Sequence, residues 1–401
     1  GTHQMRVTSV LPDVRKSRTS NDSAKTQHHF KNRKTKPAPQ NASILDTTFP
    51  LFLSRVEALI KKLMILGDVS ENVVGGHLLE AANNIGVQYI TVKPKLAQVN
   101  WLVDKVYWRL MDHRPPNMSR FERAAIETNR SFRADVALSV GRIPIRAKAL
   151  GSLQEMGTKT HIWLTDDPWN VAHYCKWMMQ VLPHYDVVFT PRKSNFSQLQ
   201  NLCGDKVFYL PFGYSVARHL RQPAHEAETD CDVLFIGGAD ADRIPIVHSI
   251  IQAGFNVALY GGCWDRDPIT RPFNRGIASV SELNEASQRA KVCLVLVRRA
   301  NRDGHVMRTF EAAACGSCML VEETKEHLAI FGVGVRSPVK YFSSITSMIS
   351  ELKLLTKDRD ERNRLRFRVR EWVAETQHSY SDRLTQILSN RADKVQRAFR
   401  C

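Results

Sequence analysis

Short apolar runs alternate along this chain with segments whose apolar positions recur every three or four residues. Runs of the first kind, bounded by Gly, Asp or Pro, read as buried strands; segments of the second kind read as amphipathic helices. Strands are expected at 63–66, 88–92, 136–140, 161–164, 186–190 and 207–210. Helices are expected around 80–85, 97–111, 119–132, 145–155, 170–181 and 194–201. The pattern restarts with strands at 232–236, 256–260, 292–297 and 318–321. The helices of this set fall near 242–253, 280–289, 308–316, 325–331 and 344–356, then at 358–375 and 380–398. Strand and helix repeating in this way imply parallel sheets covered on both faces. The fold class is therefore α/β, with two Rossmann-like domains facing a central cleft.

The pattern also sets the boundaries. Residues 1–42 are polar, basic and almost free of apolar clusters, so a disordered basic tail is expected there. Residues 44–62 read as a short amphipathic lead-in. The first Rossmann-like domain covers 43–215. A polar stretch with several His and Pro contains the linker, 216–231, and the second domain covers 232–376. Residues 377–401 form a C-terminal helix with the option of crossing back onto the first domain.

Composition changes this picture only in part. The 401 residues are 43% hydrophobic and 24% charged, ordinary for a globular protein of about two domains. No apolar run is long enough to span a membrane. The eight cysteines are scattered and mostly lie in apolar segments, which fits a reducing compartment, so a cytoplasmic location is expected. The pair Cys315/Cys318 closes a helix rather than opening one and has no second cysteine pair beside it, so a structural role is expected. The formal net charge is +17. Residues 1–40 hold nine Lys/Arg against two Asp, which leaves +10 for the rest. Such a surface suits anionic partners: nucleotide diphosphates, nucleic acid, or an acidic membrane met through the basic tail.

Candidate chemistry gathers at 308–331. A helix beginning near Arg308 carries Glu311 just inside its N-terminus, ends at Gly316, and is followed by a strand and a second helix. A helix N-terminus at the carboxyl end of a parallel strand is suited to a phosphate-bearing ligand, and a nearby carboxylate can accept hydrogen bonds from sugar hydroxyls. Gly237-Gly238 lets the backbone approach a ligand closely. Asp166 and Asp167 follow an apolar strand and are candidate bases, or else N-caps before Pro168. Asp68 and His173 have comparable positions. Trp163, Trp169 and Trp177 offer either sugar stacking or core packing.

The chain resembles the CgeB-like (spore-maturation type) glycosyltransferases of the GT-B class. In the second half the matching pieces are 233–238, Ala258-Leu259-Tyr260-Gly261 with Trp264, the 281–297 segment, Arg308-Thr309-Phe310-Glu311 through Gly316, Glu326-His327 and Tyr341-Phe342. In the first half, Asp166-Asp167-Pro168-Trp169-Asn170, 185–190 and Tyr209-Leu210-Pro211-Phe212-Gly213 also match. The resemblance implies a GT-B fold and transfer of a sugar from a nucleotide-diphosphate sugar bound mainly by the second domain. The first domain would take the acceptor, and no cofactor or metal would be held tightly. Donor-binding residues would be Gly237, Gly238, Tyr260, Gly261, Arg298, Arg299, Asn301, His305, Arg308, Thr309 and Glu311, with Asp166, Asp167 and Glu311 as the catalytic set. Retaining GT-B enzymes often carry two acids eight positions apart. Glu311 matches the second, and the first falls on Asp303, one carbon shorter. Asp265 and Asp267 are the nearest approach to a metal-binding acidic pair and read as a solvated loop. The acceptor is open: a glycan, a small molecule, a protein or a modified base in DNA. A GT-B module that binds a nucleotide sugar without turnover is the non-enzymatic alternative.

Overall fold

The computed structural model describes residues 62–220 and 229–389. The basic tail, the lead-in before residue 62, residues 221–228 of the linker and the end of the last expected helix lie outside the described residues. Two six-stranded, all-parallel sheets form the frame. The first is built from β1 (Lys62–Leu66), β2 (Gln88–Val92), β3 (Val136–Val140), β4 (Lys159–Trp163), β5 (Val187–Thr190) and β6 (Val207–Tyr209), ordered β2-β1-β3-β4-β5-β6. The second contains β7 (Cys231–Ile236), β8 (Val257–Tyr260), β9 (Asn274–Gly276), β10 (Ala290–Val295), β11 (Met319–Glu322) and β12 (Lys340–Phe342), ordered β12-β11-β10-β7-β8-β9. The interior strands are apolar at successive positions because helices cover both faces: Leu63, Met64, Ile65 and Leu66 are all buried. In both sheets the strand order reverses beside the first strand, so the strand ends there open a crevice.

The helices of the first half are α1 (Val74–Asn84), α2 (Trp101–Leu110), α3 (Met118–Phe132), α4 (Ala147–Glu155), α5 (Lys176–Val181), α6 (Phe196–Cys203) and the short α7 (Val216–His219). Those of the second half are α8 (Arg243–Gln252), α9 (Val280–Arg289), α10 (Met307–Ala314), α11 (Lys325–Phe331), α12 (Ile345–Lys357), α13 (Arg359–Glu375) and α14 (Tyr380–Leu388). α1 enters on Gly75-Gly76, where any Cβ would overlap the Asp68 and Ser70 carbonyls. The helix can therefore sit directly on the loop that leaves β1.

Three expectations need correction. The helix expected from 170 starts only at Lys176. Asn170 holds a turn instead, its side chain accepting from the Ala172 N–H and donating to Asn301 Oδ1. The strands β9 and β12 were not expected: both are three residues long and too polar to register as apolar runs. The polar stretch after residue 210 is not loose at its start. Phe212 and Tyr214 are buried in a core shared by both halves, and Tyr214 bridges to Ser379 just before α14. α14 packs against α1 of the first half. Buried Arg383 fixes it there by donating to the Pro211 and Phe212 carbonyls.

Candidate functional site

The site is built where α10 meets the first half. Thr309 Oγ1 accepts the Val306 N–H (3.1 Å) and bonds His327 Nε2 (2.9 Å), which pins the first turn of α10 to α11. Glu311 then points to the seam between the sheets. It is 3% exposed, whereas an acid opening into the crevice was expected. Three groups cover it: His77 from α1 (Nε2 to Oε1, 3.5 Å), His219 from α7 (Nε2 to Oε1, 3.8 Å) and Arg308 (Nη1 to Oε2, 3.1 Å). Tyr380 stacks on the His77 ring at 4.9 Å. Burial pushes the Glu311 carboxyl up, but Arg308, His219 and His77 together outweigh it and hold the group well below its ordinary range. The acid is thus a fixed anion inside the protein. The guanidinium of Arg308, 18% exposed, is the part of the pair nearest solvent.

Glu311, His77 and His219 also form the one group of metal-ligating side chains found among the described residues. The donor set does not suit a cation. His219 Nδ1 accepts the Ser215 N–H (3.0 Å), so the ring proton of its neutral form sits on Nε2, facing Glu311. Arg308 already supplies the positive charge.

A second cluster lies at the loop 298–305, which reaches across to the first half. Asp167 is buried and bonded by Arg302 Nη2 (3.0 Å), with Asn195 Nδ2 (3.2 Å) on the same oxygen and Arg302 Nε on the other. Asp166, about half exposed, accepts from Asn301 Nδ2 (2.9 Å) and lies 3.6 Å from Arg298. The two adjacent aspartates therefore differ: one braces the halves and the other faces solvent beside Arg298. Asp303 pairs with Arg192 Nε at 2.6 Å; burial raises its carboxyl and Arg192 opposes the rise. His305, expected to approach a donor, is instead buried. Its Nε2 accepts the Phe212 N–H (3.2 Å), so its Nδ1–H donates to Glu326 Oε2 (2.6 Å). Thr309, expected on the donor, is spent on the helix start. Arg299 leans away to Glu322 (2.8 Å), while Arg298 stays partly exposed.

The glycine pair has a local reason to be there. Gly261 has φ 140°, and a Cβ on it would overlap the Gly237 carbonyl, so the ends of β7 and β8 can close on each other only without side chains. Gly237 spends its N–H on Tyr260 O and its carbonyl on Trp264 Nε1 (both 2.8 Å). Gly238 and Tyr260 stay partly accessible at the crevice edge. Among the remaining candidates, Trp163 and Trp177 are core, Trp169 lies under Arg302, and Asp68 folds back on Ser70. Asp267 bonds His248 (2.8 Å) and two turn N–H groups. Cys315 and Cys318 are buried, and burial pushes the Cys318 thiol up to about 12, so Cys318 is not a ready thiolate. His77, His219, Arg192 and Arg302 escaped the sequence reading. The only local signal was Gly75-Gly76-His77 at a helix start.

A protein-family model described as glycosyl transferase-like matches residues 243–389. The second half carries a glycosyltransferase-family domain. No curated protein sequence matches the chain. Among solved structures, sucrose-phosphate synthase from Thermosynechococcus elongatus is similar over 84% of this chain and 100% of its own, at 10% identity and TM-score 0.56. A glycosyltransferase from Rickettsia africae is similar over 84% and 99%, at 10% identity and TM-score 0.53. HepE from Anabaena, solved in complex with UDP, is similar over 84% and 100%, at 9% identity and TM-score 0.52. The fold is that of the GT-B glycosyltransferases, and the family match within it supports a transferase.

Proposed function

We propose that this protein transfers a sugar from a nucleoside-diphosphate sugar to an acceptor hydroxyl, as a CgeB-like GT-B enzyme with no resident metal. The observation that carries the reading is the family match over 243–389, which contains the Arg308–Glu311 helix, on a GT-B frame. HepE's complex with UDP makes UDP the first donor base to test. Departure of a nucleoside diphosphate develops negative charge on its oxygens, and preorganised cations stabilise it. Arg308 and Arg298 are the assigned cations. Glu311 acts through Arg308: its buried carboxylate fixes the guanidinium, so it is a positioning residue in the ground state. Asp166 is the assigned acceptor-side base because it is the solvent-facing aspartate of its pair. Asp167, Asn301 and Arg302 hold the two halves together beside it.

The enclosure of Glu311 also favours one rival reading, a module that binds the nucleotide sugar without turnover. A thermal-shift panel of UDP, GDP, CDP, ADP and TDP with their sugars tests the shared part of both. One base should raise the melting point by mass action and the others should not. No response to any member would end both readings, and nucleotide release from the responding sugar nucleotide separates them.

A further inference from the structure

α2 is the least embedded helix of the first half: none of its residues is buried. One flank of its outer side is apolar. Leu102, Val106 and Leu110 are 57%, 54% and 73% exposed and share one face at four-residue spacing, while Trp101, 69% exposed, lies on the far side of Lys105 and Arg109 from that stripe. Val99 and Met111 add exposed apolar surface at its two ends. Large apolar side chains gathered this way on a surface mark a contact site.

The charges around the strip say what it contacts. Lys93, Lys95, Lys105, Arg109 and Arg114 are all exposed along 93–114. The two acids of that stretch are already engaged: Asp104 accepts the Val99 N–H (3.0 Å) and Asp112 accepts the Lys176 N–H (2.6 Å). Lys105 lies over the Trp101 ring at 5.8 Å. An apolar stripe bordered by exposed cations that outnumber the acids five to two over 93–114 is the composition of a helix that lies in the headgroup layer of an anionic bilayer. Nucleic acid would leave the Leu, Val and Trp side chains without a role.

We infer that α2 docks the protein on an anionic lipid surface, with Leu102, Val106 and Leu110 inserted among the acyl chains and Lys105, Arg109 and Trp101 at the headgroups. The helix is tied to the candidate acceptor side. Arg142, from the loop after β3, stacks on Trp108 at 4.3 Å and donates to His173 O (3.3 Å), and His113 Nδ1 meets Tyr174 O at 2.8 Å. These loops adjoin Asp166. If the proposed transfer holds, on which this clause rests, the acceptor is an amphiphile presented by the same bilayer.

The test is flotation of the full chain with vesicles of phosphatidylcholine, with and without a minority of phosphatidylglycerol. Binding should require the anionic lipid. Leu102→Ser/Val106→Ser/Leu110→Ser keeps every charge, including those of the N-terminal tail. It should lower partition by on the order of tenfold or more at an unchanged melting temperature. Lys105→Glu/Arg109→Glu should do so by a similar factor. Unchanged binding of the serine variant overturns the inference. So does a wild-type dimer that the serine variant disperses, which would make a second copy the occupant. Protection of Trp101 from oxidative footprinting in a vesicle-free monomer would also overturn it, since the chain's own first 61 residues would then cover the face. Vesicle binding is read without turnover, so loss of nucleotide release leaves this result standing and the reverse also holds.

Discussion

Replacing Arg308 by Met tests the architecture of the site at its most strained electrostatic point. The substitution removes the cation 3.1 Å from a carboxylate that is only 3% exposed. His219 is no cation in the wild type, because burial holds its pKa down to about 4. Removing one partner of a buried pair costs about 3–5 kcal/mol, most of it the uncompensated charge. With unfolding entropy near 2.1 cal/mol/K per residue, a chain of this size should lose about 4–6 °C in melting temperature. Arg308→Met/Glu311→Leu removes both charges and should recover most of that loss, to within about 1 kcal/mol of wild type. Urea unfolding of the wild type, both single variants and the double variant gives the coupling directly. A loss under about 1 kcal/mol for Arg308→Met, or a double variant equal to the sum of the singles, would refute the reasoning. The pH dependence has a definite sign. Glu311 has a lowered folded pKa, so its contribution is complete above its ordinary value of 4.5 and is lost only as pH falls through the lower folded value. The coupling should therefore be flat from pH 5 to 8.

Other outcomes follow from the same contacts. His161, His219 and His327 are held near 4 and His378 near 3, chiefly by burial. The unfolded chain binds those protons first, so stability should fall as pH drops below 6.5, by roughly 1.4 kcal/mol per pH unit for each group; urea midpoints that do not change between pH 5 and 7 would contradict this. Gly304→Ala would drive a Cβ into the Glu326 carboxylate, which also holds Lys193 N, Tyr209 Oη and His305 Nδ1. It should cost about 1–3 kcal/mol, and an unchanged urea midpoint would mean that Glu326 relaxes freely. Arg302→Ala leaves buried Asp167 without its cation and unties the loop 298–305 from the first half. It should cost about 3 kcal/mol and raise proteolysis at that loop, whereas a wild-type digestion pattern would argue against the brace.

The sequence and the structure agree most closely where one local property suffices. A strand buried on both faces must be apolar at successive positions, and β1, β3, β7 and β10 were readable for that reason. The helix at 308 was readable because its N-terminus, its acid and its closing glycine lie within nine residues. The partners of that acid were not. His77 and His219 come from either end of the first half, and only the return of α14 and Tyr214 brings them to Glu311. The difference between Asp166 and Asp167 was equally hidden. It is set by Arg302, 135 positions away from Asp167, and nothing local to the dipeptide distinguishes a buried brace from an exposed acid. β9 and β12 escaped because three-residue edge strands carry little apolar signal.

The proposed activity is measured most directly as release of nucleoside diphosphate from the sugar nucleotide that raises the melting point, compared between wild type and Glu311→Gln. Wild type should release the diphosphate. The variant should stay folded, because the amide removes the charge without emptying the seam, and should release it at least about tenfold more slowly as Arg308 loses its anchor. Equal release by the two proteins would contradict the role given to the Arg308–Glu311 pair. Absence of release from both would leave a binding module and remove the transferase reading.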